Sequence, residues 1–365
     1  MMRGFEGSGE PNNPSRKKPM FPANEELRQY LRNQGREIKL PVMYNDLLNF
    51  TYSVPIKDAS GNDTLWEKAL YDMREWQYVR DGLIKMYALL RTKGDLSFAK
   101  HLEVARIDYC TFGNSNPFRI RIINKFNDNY DHYYIKQIDA SRIYGLELEH
   151  ILSPNRIIFF THQNTLVEDH IPGIPGDVFI RNYLDRPETN KIRLAKEFVK
   201  FNERCFVKLL GDMRSYNFVI SFMPDIEDVQ YRIRAIDFDQ HAYEGRKSLY
   251  LPQFFKENYP FVEIAVNQLN KDSIEQYQAE ERTLMAIRLN EKRRRIYELY
   301  SIMEKDTIST TEKTERLKQE LADYCGNSFY KDCGSMGQLA KAHLKQSLRK
   351  ALRLVQQQFT LDGDD

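Results

Sequence analysis

The chain has 365 residues, 41% hydrophobic and 12% aromatic, enough to build the cores of two or three ordinary domains. Its 54 basic and 52 acidic residues leave a net charge of +2, so no global field recruits nucleic acid or an anionic membrane, and such binding would need a local patch. Four cysteines without Cys-x-x-Cys spacing point to reduced thiols and a cytoplasmic protein, the first twenty residues lack a signal peptide's apolar run, and no window approaches the apolar length of a membrane span.

Residues 1 to about 22, rich in charge, Pro, Gly and Asn, are expected to be disordered. A helix follows from Asn24 to Arg32, with Asn24 as its cap and Glu25 and Glu26 at the positive end of its dipole. A second, short helix is expected over Met43 to Phe50. After the turn-rich KDASGND comes the longest helical pattern of this half, Leu65 to Arg91, where Trp66, Leu70, Met73, Trp76, Val79, Leu83, Met86 and Leu90 recur at three- and four-residue steps. Such a stripe is a core face, and residues 23–98 are read as a helical N-terminal module.

From His101 the period changes to alternation. Strands are expected over His101 to Cys110, Phe118 to Phe126 and His132 to Ile138, the first two joined by TFGNSNP with its single Gly113. Lys136 stands in the third strand among Tyr134, Ile135 and Ile138, where an ammonium needs either a partner or a solvent-facing edge. A helix over Ser141 to Ile151 carries Glu147 and Glu149. Strands at Arg156 to Phe160 and Thr165 to His170 follow, and His170 has no second His or Cys at ligand spacing, so zinc is not indicated. A strong helix, Asn190 to Leu210, then feeds into a loop.

That loop, Gly211-Asp212 to Asn217, is gripped by apolar runs on both sides, Leu209-Leu210 before it and Phe218-Val219-Ile220 after it. A hairpin returns through Tyr231 to Phe238 and brings Asp237 towards Asp212. Two acids and an amide oxygen in one cleft make a hard, all-oxygen environment suited to magnesium that also holds phosphates. An Asp-capped turn between buried strands is the other reading of the same residues.

Gly-Asp, four residues, Asn, then a hairpin and Ile236-Asp237-Phe238 resembles the catalytic loop and metal strand of the protein kinase-like superfamily, nearest to the aminoglycoside and choline phosphotransferase branch. The resemblance implies that Asp212 is the catalytic base and that Asn217 and Asp237 hold the metal, with Asp239 a further candidate. It also implies that Lys136 holds the α- and β-phosphates, paired with Glu147 or Glu149, and that backbone near Glu168 to His170 meets adenine. This chain has Leu210 where the family usually has His, and Arg214 two positions after Asp212, where a guanidinium can fork onto a transferring phosphate.

Beyond Asp239 no Ala-Pro-Glu end-marker follows, which disfavours an ordinary protein kinase. Residues 246–270 should pack as short helices. Longer helices are expected over Ser273 to Glu304, Glu312 to Tyr324 and Gly337 to Phe359. The basic runs Lys292-Arg293-Arg294-Arg295 and Lys341, Lys345, Arg349, Lys350, Arg353 read as solvated faces, leaving nucleic acid open.

The expected architecture is α+β: a two-lobed kinase-like fold with residues 1–22 disordered, a helical module over 23–98, an N-lobe over 99–170, a C-lobe core over 171–270 and a helical C-terminal region over 271–365. The expected function is ATP- and magnesium-dependent transfer of the γ-phosphate to a hydroxyl acceptor, a small molecule by the motif. The alternatives are a pseudokinase or scaffold without turnover, an atypical protein kinase, and a nucleotidyl transferase.

Overall fold

The computed structural model describes residues 18–58, 61–224, 229–326 and 328–361. Residues 1–17, within the stretch expected to be disordered, lie outside the described residues. Residues 18–22 run along the protein: Lys18 is buried in an ion pair with Asp139, and the Phe21 amide donates to Asp139 Oδ1 at 2.9 Å.

Helix α1 (Glu25–Asn33) starts as expected, the Asn24 side chain accepting from the Leu27 amide, and α2 (Tyr44–Leu47) is one turn. The long helix expected over Leu65 to Arg91 is in fact two elements. Its first part is β2 (Asp63–Leu70), the return strand of a hairpin with β1 (Tyr52–Lys57), and only the remainder is helix, α3 (Met73–Thr92). Trp66 and Leu70 fit a two-residue period as well as a four-residue one, and Asp72 supplies the true start, its carboxylate accepting from the Arg74 and Glu75 amides. The N-terminal module is therefore not wholly helical.

Strands β3 (Leu102–Cys110), β4 (Phe118–Asn124) and β5 (Tyr130–Gln137) come where alternation places them. Helix α4 (Ala140–Leu152) follows, then β6 (Phe159–His162) and β7 (Thr165–Asp169). All seven strands form one antiparallel sheet ordered β1-β2-β3-β4-β5-β7-β6. On one face Val104, Ile107, Ile120, Ile122, Tyr133, Ile135 and Val167 bury against Val79, Leu83 and Met86 of α3.

The rest is mainly helical: α5 (Gly176–Asn182), α6 (Lys191–Lys208), α7 (Tyr259–Gln268), α8 (Lys271–Glu291), α9 (Arg293–Met303), α10 (Thr311–Cys325) and α11 (Met336–Leu361). A three-stranded sheet of β8 (Ile174–Pro175), β9 (Phe218–Pro224) and β10 (Val229–Ala235) in the order β10-β9-β8 packs against α6. The helix expected over Ser273 to Glu304 breaks at Lys292, between α8 and α9. Of the basic run at that break, Arg295 turns inward to Glu147 instead of lying on a solvated face.

A second core joins α1, α4, α6, β9, β10 and the C-terminal helices. Leu27, Tyr30 and Leu31 belong to it, whereas Val42, Tyr44 and α3 belong to the core under the sheet, so the N-terminal segment is shared between both. The result is a mixed helix and strand architecture in which α4 lies between the large sheet and the helices. No helix among the described residues is long and apolar enough to cross a membrane.

His343 ties α11 to α6 in this core. Its Nε2 lies 3.0 Å from the Phe206 carbonyl and its Nδ1 3.2 Å from the Tyr330 hydroxyl, a pairing that a neutral imidazole satisfies with one donor and one acceptor. Burial pushes its pKa down to about 4, against about 6.5 when unfolded. Because the folded value is depressed, the unfolded chain takes up the proton first, so this stability is complete above pH ~6.5 and declines as pH falls towards ~4. Urea unfolding at pH 7 and pH 5 should show a smaller acid loss in His343→Asn than in the parent, by about 1–2 kcal/mol. An unchanged pH slope in the variant contradicts this placement of the proton.

Candidate active site

Strand register sets the first pair of residues. Tyr134 stands opposite Glu168 and Lys136 opposite Leu166, so Lys136 and Glu168 are diagonal neighbours on one face of the sheet. Their side chains meet with Nζ 2.7 Å from Oε2, and both are buried. This is the partner a mid-strand lysine requires, and it is neither of the glutamates expected. Glu147 is engaged by Tyr30, Arg36 and Arg295, and Glu149 by Lys208 and Asn155. Both point from α4 into the helical core, where other cations have claimed them. The Glu168 side chain, not only its backbone, belongs to the cleft.

The residue that sequence reasoning missed is Arg142. Two residues into α4 its guanidinium is almost fully buried and grips three carboxylates: Glu168 at 2.9 Å, Asp237 at 2.8 Å and Asp239 at 2.6 Å. Burial disfavours its charge, but Asp239, Glu168 and Asp237 together outweigh that and lock the proton on. Burial also works against Glu168 and Asp239, yet Lys136 and Arg142 hold Glu168, and Arg142 holds Asp239, below the usual carboxylate range. Asp237 goes the other way. The low-dielectric floor of the cleft, and then Asp239 beside it, raise its pKa despite Arg142. A charged residue in the first turn of a buried helix was the available signal, but its partners lie 26, 95 and 97 positions downstream.

The Asp212 loop is fixed by backbone bonds to a later segment. The Gly211 amide donates to the Gln240 carbonyl at 3.2 Å, the Asp212 amide to Leu249 at 3.1 Å, and Ala242 returns a bond to Leu209 at 2.8 Å. Leu210 pairs as a β-bridge with His241. Asp212 itself sits at φ +56°, a left-handed conformation costly for any residue with a Cβ and one that the surrounding bonds must hold. Its Oδ1 accepts from Arg214 Nε at 2.8 Å, and Arg214 also reaches Glu257 at 2.7 Å and lies over Phe255. Burial raises the Asp212 pKa, with Arg214 opposing and Asp237 adding to the rise.

Asn217 closes the loop, its Nδ2 donating to the Asp212 carbonyl at 2.7 Å, while the Ile236 amide donates to the Asn217 carbonyl at 3.0 Å. These bonds place Asp212, Asn217 and Asp237 side by side, and Arg142 and Glu168 connect Asp237 to Lys136. Lys136, Asp212, Asn217 and Asp237 thus lie near one another, whereas Glu147 and Glu149 are turned away from them. His170 stands outside it, with its Nδ1 near the Tyr134 hydroxyl and its imidazole pushed to lower pKa by burial.

A magnesium ion fits the donor chemistry. Asp237 bonds Arg142 and the Asp239 amide through Oδ1 alone, and Asn217 is fixed through its nitrogen, so an oxygen of each remains to coordinate. Among the described residues no group of three or more His, Cys, Asp or Glu side chains forms a self-sufficient metal cage. Magnesium is commonly held by one or two carboxylates together with substrate phosphates and water.

No family model matches the chain, and no curated protein matches it. Among solved structures, one described as "Titin kinase and its flanking domains" is similar at TM-score 0.26 and 12% identity, covering 67% of this chain. The match spans about half of that structure, 54% of its length.

Removing the Arg142 charge leaves three carboxylates facing one lysine. Arg142→Met should lower unfolding stability by roughly 3–5 kcal/mol, because buried acids are then uncompensated. The further change Asp239→Asn should recover part of that loss. Equal destabilisation in the single and double variants would mean that the guanidinium acts through packing alone.

Proposed function

We propose that the protein is a phosphotransferase that uses ATP and magnesium to move the γ-phosphoryl group to a hydroxyl acceptor. The observation that carries this reading is the convergence of Lys136, Asp212, Asn217 and Asp237 on one cleft, from a strand, a strained loop and the end of a hairpin. The strand order β3-β4-β5-β7-β6, with α4 inserted after β5, accompanies it and agrees with a kinase-like N-lobe.

In this reading the Asn217 oxygen and Asp237, with Asp239 behind it, would hold magnesium, which would supply positive charge beside the transferring phosphoryl group. Lys136 lies on the sheet above the cleft and places a compact positive charge on the α- and β-phosphates. The ion pair with Glu168 sets its direction. Glu168 and Asp169 are paired with β5 and β6, so backbone at the end of this stretch, at His170, would meet the adenine edge. Asp212 takes the acceptor's hydroxyl proton, and its raised pKa brings it closer to the working range of a general base. The Arg214 guanidinium, between Asp212 and Glu257, stabilises charge as the phosphoryl group leaves ADP.

One observation favours a second reading, a nucleotide-binding module without turnover. Arg142 occupies one oxygen of Asp237 and one of Asp239, so a cation already stands where a metal would be held. Turnover decides between them.

Thermal stability should rise with ATP only when magnesium is present, and Asp237→Ala should lose that shift. A full shift in Asp237→Ala removes the metal assignment.

With γ-labelled ATP, label should pass to a small polyol or amino-alcohol acceptor. Asp212→Asn should lower the rate by about 10²–10⁴-fold while ATP affinity stays within twofold or so. Transfer of α-label instead identifies nucleotidyl transfer, efficient labelling of generic proteins identifies a protein kinase, and magnesium-dependent binding with no transfer identifies the module without turnover.

A further inference from the structure

A separate cavity lies on the other side of the strand that carries Glu168. Successive residues of a strand face opposite ways, so while Glu168 points into the cleft, Asp169 points to the face covered by α3, where Arg91 meets it at 3.0 Å. There Arg91, Asp131, Arg156, Asp169, His170 and Arg234 line a cavity of about 320 Å³ with Ile157, Ile158, Ile171 and Pro172.

Its charges are not balanced among the described residues. Arg91 is shared between Asp131 and Asp169. Neither Arg156 nor Arg234 forms an ion pair with a described residue, so three guanidiniums face two carboxylates. Among the described residues Arg234 Nε, buried, meets no acceptor and Asp169 Oδ1, buried, meets no donor. A buried donor and a buried acceptor in one cavity each cost free energy until a partner arrives. Arg156, by contrast, is exposed at the mouth.

We propose that this cavity binds a small hydroxylated phosphate monoester, its phosphate forked by Arg156 and Arg234 and a hydroxyl donating to Asp169 Oδ1. Planar guanidiniums suit phosphate oxygens, and the two orphaned atoms require one ligand that both accepts and donates. The volume is at the small end of ligand cavities, about 300–1,000 Å³, which favours a sugar or polyol phosphate over a nucleotide. The site is independent of the ATP reading, although Asp169 and Glu168 are consecutive, so occupancy on one face bears on the strand that lines the other.

Calorimetric titration of the full chain with glucose 6-phosphate and glycerol 3-phosphate, and with glucose and inorganic phosphate alone, tests this. Either ester should bind at least about tenfold more tightly than glucose or phosphate, a difference of ~1.4 kcal/mol. Arg156→Gln with Arg234→Gln should remove ester binding while the ATP and magnesium shift persists, and Asp169→Asn should erase the preference for ester over inorganic phosphate. Asp237→Ala should leave ester binding intact, so that failure here and failure of the ATP assignment are distinguishable. Because Arg156 is exposed, Arg156→Gln alone gives a folded variant with weakened binding even if the double variant does not fold. Equal affinity for ester and inorganic phosphate, no binding of either ester, or undiminished binding in Arg156→Gln overturns the proposal.

Discussion

One guanidinium organises the candidate site. Arg142 is buried at the start of α4, a position that would be strongly unfavourable for an isolated charge, and its cost is met by carboxylates from two other places in the chain. Glu168 comes from β7, inside the large sheet, and Asp237 and Asp239 come from the segment after β10. The ion network therefore works as a three-way joint between sheet, helix and hairpin. It also leaves one more negative charge than positive once Lys136 is included, an electrostatic preference for a further cation that an uncharged core could not provide.

The second constraint is backbone. Asp212 is held at a positive φ by hydrogen bonds on both sides of it, while Asn217 locks the loop from within. These are short-range relations, and for that reason they are legible in sequence: the loop length, the anchoring apolar pairs and the hairpin all lie within about thirty residues. Lys136 is legible too, because a lysine amid apolar strand residues demands an explanation.

What was not legible depends on distance. Nothing near Arg142 indicates that its partners stand at Glu168, Asp237 and Asp239. Nothing near Glu147 shows that Arg36 and Arg295, from opposite ends of the chain, will enclose it and leave Lys136 to Glu168. The hairpin before α3 was hidden for another reason: two apolar residues spaced by four suit a strand and a helix alike, and only the cap at Asp72 separates them. Charge runs mislead in the same way, since Arg295 looks like part of a solvated patch until the break between α8 and α9 turns it inward.

The enclosure of α4 has a mechanical consequence. Every residue of that helix except His150 is buried, and it is clamped at its start by Lys18 through Asp139, midway by Arg36 and Arg295 through Glu147, and near its end by Lys208 through Glu149. A helix tied down at three levels by segments so remote in sequence cannot swing as a lever without loosening several buried ion pairs together. It behaves as a fixed strut, its backbone amides exchanging with solvent only when the surrounding core opens, and adjustments at the cleft fall instead to side chains and to the loops on either side.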